Sequence, residues 1–180
     1  MAARVVVLVT LGLTAAGAPQ ALAQGGIRPS QHGTVSQRVG STDISVTYNR
    51  PVARGRTVFG GVVNWGRIWT PGADSATLIE FSRDVEVQGQ ALKAGTYSLW
   101  MVPQPASEPW TVIFSKAVHI FHTPYPGPDQ DALRFTVAPE SGEHMEVLAF
   151  YFPVVAADSA VLRMHWGTTV IPLRIRVHSP

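Results

Sequence analysis

The sequence predicts an all-β protein, an antiparallel sandwich of about nine or ten short strands. Three observations carry this expectation. Apolar and polar residues alternate with period two in several segments, turn residues recur about every 8–12 positions, and no window sustains a 3.6-residue period with capping residues. A jelly-roll arrangement or a closed-barrel variant would satisfy the same pattern. A membrane barrel would need strands of about 9–11 residues with an apolar outer face and aromatic girdles. The segments here are shorter and interrupted by proline, which favours a soluble sandwich.

The elements follow in order. Between Thr42 and Arg50, Ile44, Val46 and Tyr48 alternate with Asp43, Ser45, Thr47 and Asn49, so one strand face is buried and the other wet. Ala76 to Phe81 is a second strand. Val85 to Val87, the turn Gln88-Gly89-Gln90 and the residues from Ala91 onward form a hairpin. Gly95 to Val102 is a strand ended by Pro103, and Trp110 to Ser115 follows a proline-rich turn. Val118 to Asp131, with three prolines and a glycine, reads as a long loop. Leu133 to Val137 and Met145 to Phe152 are strands. In the final pair, Leu162, Met164 and Trp166 oppose Arg163 and His165, and Ile171, Leu173, Ile175 and Val177 oppose Arg174 and Arg176.

The first 23 residues read as a secretory signal peptide. Arg4 supplies a positive start, Val5 to Leu13 an apolar run, and Ala21-Leu22-Ala23 a cleavage signal before Gln24. The apolar run is far below the roughly 20 residues needed to span a bilayer. The expected location is therefore the periplasm or the exterior. Residues 24–35 are rich in Gly, Pro, Ser and Gln and read as a flexible leader. Residues 36–180 suffice for a single domain with its own core. The chain contains no cysteine, so an exported form uses no disulfide and no thiol chemistry. Its 14 basic and 12 acidic residues nearly balance, and no Lys/Arg run or aromatic-basic repeat points to nucleic acid.

The segment from Tyr48 to Asp74 holds Arg50, Arg54, Arg56, the pair Gly60-Gly61, Trp65, Trp69 and the turn Thr70-Pro71-Gly72-Ala73-Asp74. Such residues in an irregular stretch mark a candidate binding loop. Guanidinium groups bind carboxylate or phosphate in bidentate fashion, and glycine lets a ligand approach the backbone. The competing reading pairs the arginines with Asp74, Glu80 or Asp84 to pin the loop. Both tryptophans are expected in the core, though an exposed one would stack on a sugar or an aromatic ligand. The candidate ligand-binding residues are Arg50, Arg54, Arg56, Trp69 and Asp74, and the ligand expected is anionic or a glycan.

Other chemistry is thinly represented. His119 and His122 have H-x-x-H spacing, but there is no HExxH motif, and Asp129-Gln130-Asp131 lacks the pattern of a calcium loop, so no metal site is expected. No G-x-S-x-G elbow, S-x-x-K signature or glycine-rich phosphate loop is present, so neither a nucleophile motif nor a cofactor is expected.

Taken together, several of these motifs resemble a known family. They are the strand ending Tyr48-Asn49-Arg50-Pro51, Gly55-Arg56 with Phe59-Gly60, Trp69 to Asp74 leading into Ala76-Thr77, Ala94 to Leu99 with Pro103, Trp110 to Ile113, and Trp166 with Val170 to Val177. The chain resembles the bacterial exported family called domain of unknown function 2911, from about Val35 to Val177. The family's usual Arg-Thr-Gly-Ala-Asn after the tryptophan is here Thr70-Pro71-Gly72-Ala73-Asp74, which weakens an anion-binding reading at that position. The resemblance implies an exported β-rich domain and supplies no reaction, ligand or catalytic residue.

Three functions fit. The first is an extracytoplasmic binding domain with its ligand surface at Arg50–Asp74. The second is a periplasmic hydrolase with a composite site of Asp74 and His119 or His165. The third is a structural envelope protein with no ligand.

Overall fold

The computed structural model describes residues 29–105 and 108–178, so the expected signal peptide and residues 24–28 of the leader lie outside the described residues. Ten strands form two antiparallel sheets: β1 (Gln31–Val39), β2 (Thr42–Arg50), β3 (Leu78–Phe81), β4 (Val85–Val87), β5 (Gln90–Leu92), β6 (Gly95–Val102), β7 (Trp110–Ser115), β8 (Asp131–Val137), β9 (Glu140–Val155) and β10 (Ser159–Val177). One sheet has the order β1-β2-β3-β6-β7-β8, the other β5-β4-β10-β9. The two sheets face each other as a sandwich and do not close into a barrel.

The alternation in β2 buries Thr42, Ile44, Val46 and Tyr48 on one face, as its sequence requires. β6 and β7 have the expected bounds. The β4–β5 hairpin turns through Gln88 and Gly89, both at positive φ (50° and 76°), which is the backbone of a type I′ turn. Four elements differ from the sequence expectation, one being β8, which begins at Asp131 rather than Leu133. Residues 31–35, read as flexible leader, form the first half of β1, paired to β2 from Gln31↔Arg50 to Val39↔Thr42. Ala76 and Thr77 precede β3 rather than beginning it. β9 extends beyond Met145–Phe152 in both directions.

β10 is one run of 19 residues. Fully extended it would be about 60 Å long, yet the Val177 amide donates to the Asp158 carbonyl at 2.8 Å. The run therefore doubles back on itself, and Gly167, at φ 59°, marks the reversal. Its two arms correspond to the two facing segments expected from the sequence.

The core fills the space between the sheets. Ile44, Val46, Ile79, Leu99 and Phe114 of the larger sheet meet Leu148, Leu162, Met164, Ile171 and Leu173 of the smaller one, all essentially fully buried. Burial on this scale is the main stabilising term, at roughly 25 cal/mol per Å² of apolar surface. A second cluster lies on the outer face of the six-stranded sheet. There Trp100 and Ile113 are covered by Ala76, Ile68, Ile120 and Tyr125, so residues 117–130 form a loop folded back over that sheet. Among the described residues no helix is long and apolar enough to cross a membrane.

Candidate functional site

The irregular segment after β2 runs across the open end of the sandwich. It starts at Tyr48, whose hydroxyl accepts a hydrogen bond from the Phe150 amide at 3.0 Å and whose ring meets Phe150 edge-on. Residues 51–53 then lie along β9. Ala53 N–H donates to the Glu146 carbonyl, Leu148 N–H donates to the Pro51 carbonyl, and Val52 bridges to Val147. A compact turn over residues 57–63 is closed by the Val62, Val63 and Gly60 amides. Beyond it Trp69 exchanges two backbone hydrogen bonds with Met101, at 2.8 and 2.7 Å, and so extends the six-stranded sheet beside β6.

The arginines make hydrogen bonds along this path. Arg50 Nε donates to the Leu148 carbonyl at 3.2 Å, and its aliphatic stem packs against Gly33, where a Cβ would lie 2.8 Å from Arg50 Cδ. Arg56 donates to the Ala53 carbonyl through Nε at 2.8 Å and to the Val52 carbonyl through a terminal nitrogen at 2.9 Å. Arg54 sits at φ 54°, and its terminal nitrogen reaches the Pro29 carbonyl at 3.5 Å. None of the three forms the expected ion pair with Asp74, Glu80 or Asp84; Asp84 is bound to Lys93 at 2.7 Å instead.

A carboxylate that the sequence did not flag holds the loop. Glu146 accepts the Arg54 amide at 2.5 Å and a hydrogen bond from the His144 ring at 3.0 Å. These contacts, that of His144 first, hold its carboxyl below the usual carboxylate range. Only its position, opposite a loop in positive φ, identifies it, and that position follows from the β9 register.

Asp74 and Trp69 both contact other parts of the chain. Asp74, at φ 63°, offers its carbonyl to the His122 amide at 2.9 Å on the outer face of the six-stranded sheet. Trp69 is half-buried, stacked on Trp166 with ring centroids 6.1 Å apart and edge-on to Phe59. Thr70 explains why the segment turns where it does. Its buried hydroxyl donates to the Leu99 carbonyl at 2.8 Å and accepts the Thr77 amide at 3.0 Å, while the Thr77 hydroxyl donates to the Pro71 carbonyl.

The exception to the expected burial is Trp65, which is 40% exposed. Its indole nonetheless packs against neighbours. Phe59 and Trp110 lie 6.1 and 6.4 Å from it, centroid to centroid. Gly60 lies so close that an added Cβ would stand 2.4 Å from Trp65 Nε1. Gly60 takes φ 83°, a conformation and a clearance that only glycine supplies. Trp65 borders two adjoining hollows. One, of about 390 Å³, is lined also by Gln104, Trp110, Pro139, Glu140, Ser141, Thr168 and Thr169. The other, of about 340 Å³, includes Arg56, Phe59, His144, Trp166, Thr168 and Thr169. Trp65, Thr168 and Thr169 belong to both, so the hollows adjoin at the indole and together make a track at the mouth of the sandwich.

Three hollows are larger: one of about 480 Å³ lies along β1 and β2 between Ser36 and Ser82, and two of about 600 Å³ lie on the outer sheet faces. One of these two, beside the β4–β5 turn, holds Arg174 and Arg176. The other, on the six-stranded sheet, holds His32, Asn49, Ser75 and His119. Neither exposes a large aromatic side chain among its lining residues. His165 is buried on the four-stranded sheet, between the Tyr151 hydroxyl at 3.1 Å and the Glu143 carbonyl at 2.9 Å. It does not join Asp74, which sits on the other sheet. Among the described residues no group of three His, Cys, Asp or Glu side chains is placed to hold a metal ion.

No curated protein and no solved structure matches the chain. One family model matches residues 30–175, nearly all of the sandwich. The chain therefore belongs to the family described as "Protein of unknown function (DUF2911)".

Proposed function

We propose that this protein is an exported binding domain whose ligand surface is built by the Arg50–Asp74 segment, with the ligand seated in the track over Trp65. The carrying observation is an indole 40% exposed yet packed against Gly60, Phe59 and Trp110. Large exposed aromatics are uncommon, and a pre-positioned one loses little entropy when a ligand packs on it. Export rests on the order of Arg4, the apolar run and the Ala21-Leu22-Ala23 signal. Of the residues read from the sequence, Arg56 stays in the ligand surface, and Arg50, Arg54, Trp69 and Asp74 are assigned to supporting it.

Melting shifts against a panel of anionic and glycan ligands test this reading. Trp65→Ala should abolish the shift seen with wild type. Arg54→Ala, which removes a side chain outside the track, should retain it. A shift lost in Arg54→Ala and kept in Trp65→Ala would refute the assignment.

A further inference from the structure

We infer that the ligand of this track is a neutral oligosaccharide of at least two rings, a conclusion that rests on the Trp65 track being the ligand surface. Three features point to sugar. The first is the platform. The exposed part of an indole presents a negative π face and an apolar area, which matches the C–H face of a pyranose ring. Trp65 Nε1 is the indole atom packed closest to Gly60, so what the side chain offers a ligand is its exposed ring area.

The second feature is the wall chemistry. Thr168, Thr169 and Ser141 supply hydroxyls and Gln104 an amide, with Thr168 and Thr169 shared by both hollows. Hydroxyls and amides donate and accept, which suits sugar hydroxyls that do both. The third is the scarcity of free positive charge. Arg56 is the only arginine or lysine in the two linings, and two of its nitrogens are committed to the Ala53 and Val52 carbonyls. Glu140 stands in the other lining and is paired with Arg163 at 2.7 Å. The described linings thus hold one partly engaged guanidinium and one paired carboxylate, not the cluster of cations with which proteins clasp sulfate or phosphate groups.

Size sets the minimum length. Hollows of about 390 and 340 Å³ lie at the lower end of the roughly 300–1,000 Å³ typical of ligand sites. Each suits a small unit, and the residues they share set the two units next to each other along Trp65. A single ring would leave one hollow empty.

Calorimetric titration decides the matter, with neutral gluco-, xylo- and chito-oligosaccharides of increasing length as probes. Their monosaccharides, a sulfated oligosaccharide and a proline-rich decapeptide complete the set. The expected result is saturable binding of a neutral chain that strengthens from one ring to two. It should weaken about tenfold or more in Trp65→Ala, as the loss of one aromatic contact implies. It should be unchanged in His119→Ala, on the other face. Trp65-dependent binding confined to the sulfated sugar or to the peptide would overturn the neutral-sugar inference and leave the track as the ligand surface. Binding of no probe, or binding indifferent to Trp65→Ala, would overturn both.

Discussion

Thr70 shows how much one side chain does in an irregular segment. Its hydroxyl is fully buried and satisfies a carbonyl on β6 and an amide at the approach to β3. Replacement by valine keeps the shape and removes both bonds. A buried polar group left unpaired costs about 1–3 kcal/mol, so Thr70→Val should lower the unfolding free energy by an amount in that range, measured by urea denaturation. It should leave ligand binding intact. At the same scale, Trp65 and Trp69 could not be told apart in the sequence. Both lie in a stretch without periodicity, and their exposure is decided by distant partners: Met101 draws Trp69 into the sheet, and Gly60 holds Trp65 at the rim.

At the scale of elements, the loop over residues 117–130 needs a tie to stay on the six-stranded sheet. Tyr125 provides it. Its hydroxyl is hydrogen-bonded to Asp131, and Arg134 reaches both Asp131 at 2.9 Å and Tyr125 at 3.1 Å. Burial, with help from Asp131, pushes the Tyr125 phenol up to about 12. In the unfolded chain the phenol ionises near 10, so the folded state keeps a proton that the unfolded state loses. Stability contributed by this tie is complete below about pH 10 and is lost as the pH rises towards 12. Ultraviolet titration should therefore show a late-ionising tyrosine that disappears in Tyr125→Phe. Burial also raises Tyr97, so one delayed transition should remain in that variant.

Which elements were legible follows the same physics. β2, β6 and β7 carry one strongly apolar face or two, and their bounds could be read directly. β1 could not, because it is an edge strand whose inward positions are Gly33, Val35, Gln37 and Val39, too polar to show a period. Its position follows only from its register on β2. The arginines show the same limit of the sequence. Their residue type suggested anion recognition, while their donors meet backbone carbonyls that no sequence pattern reveals.

At the scale of the molecule, the sandwich acts as a frame with one finished end. The two sheets bury a continuous core, and the Pro51–Ser75 crossing joins them by pairing with β9 on one side and β6 on the other. Phe59, Trp69, Trp110 and Trp166 fill that end and leave Trp65 exposed there, while Phe121, more exposed still, lies in the loop over the six-stranded sheet. A ligand bound there would touch the crossing, β7, the start of β9 and the reversal of β10 together, all of them tied to the core. The most direct measurement is a ¹H–¹⁵N NMR titration of the protein with a neutral oligosaccharide. Shifts should concentrate on the Trp65 indole N–H and the amides of Ser141, Thr168 and Thr169, while Ser75, His119 and Arg174 stay still. Shifts gathered instead around Ser75 and His119, or around Arg174 and Arg176, would contradict the placement of the ligand at Trp65.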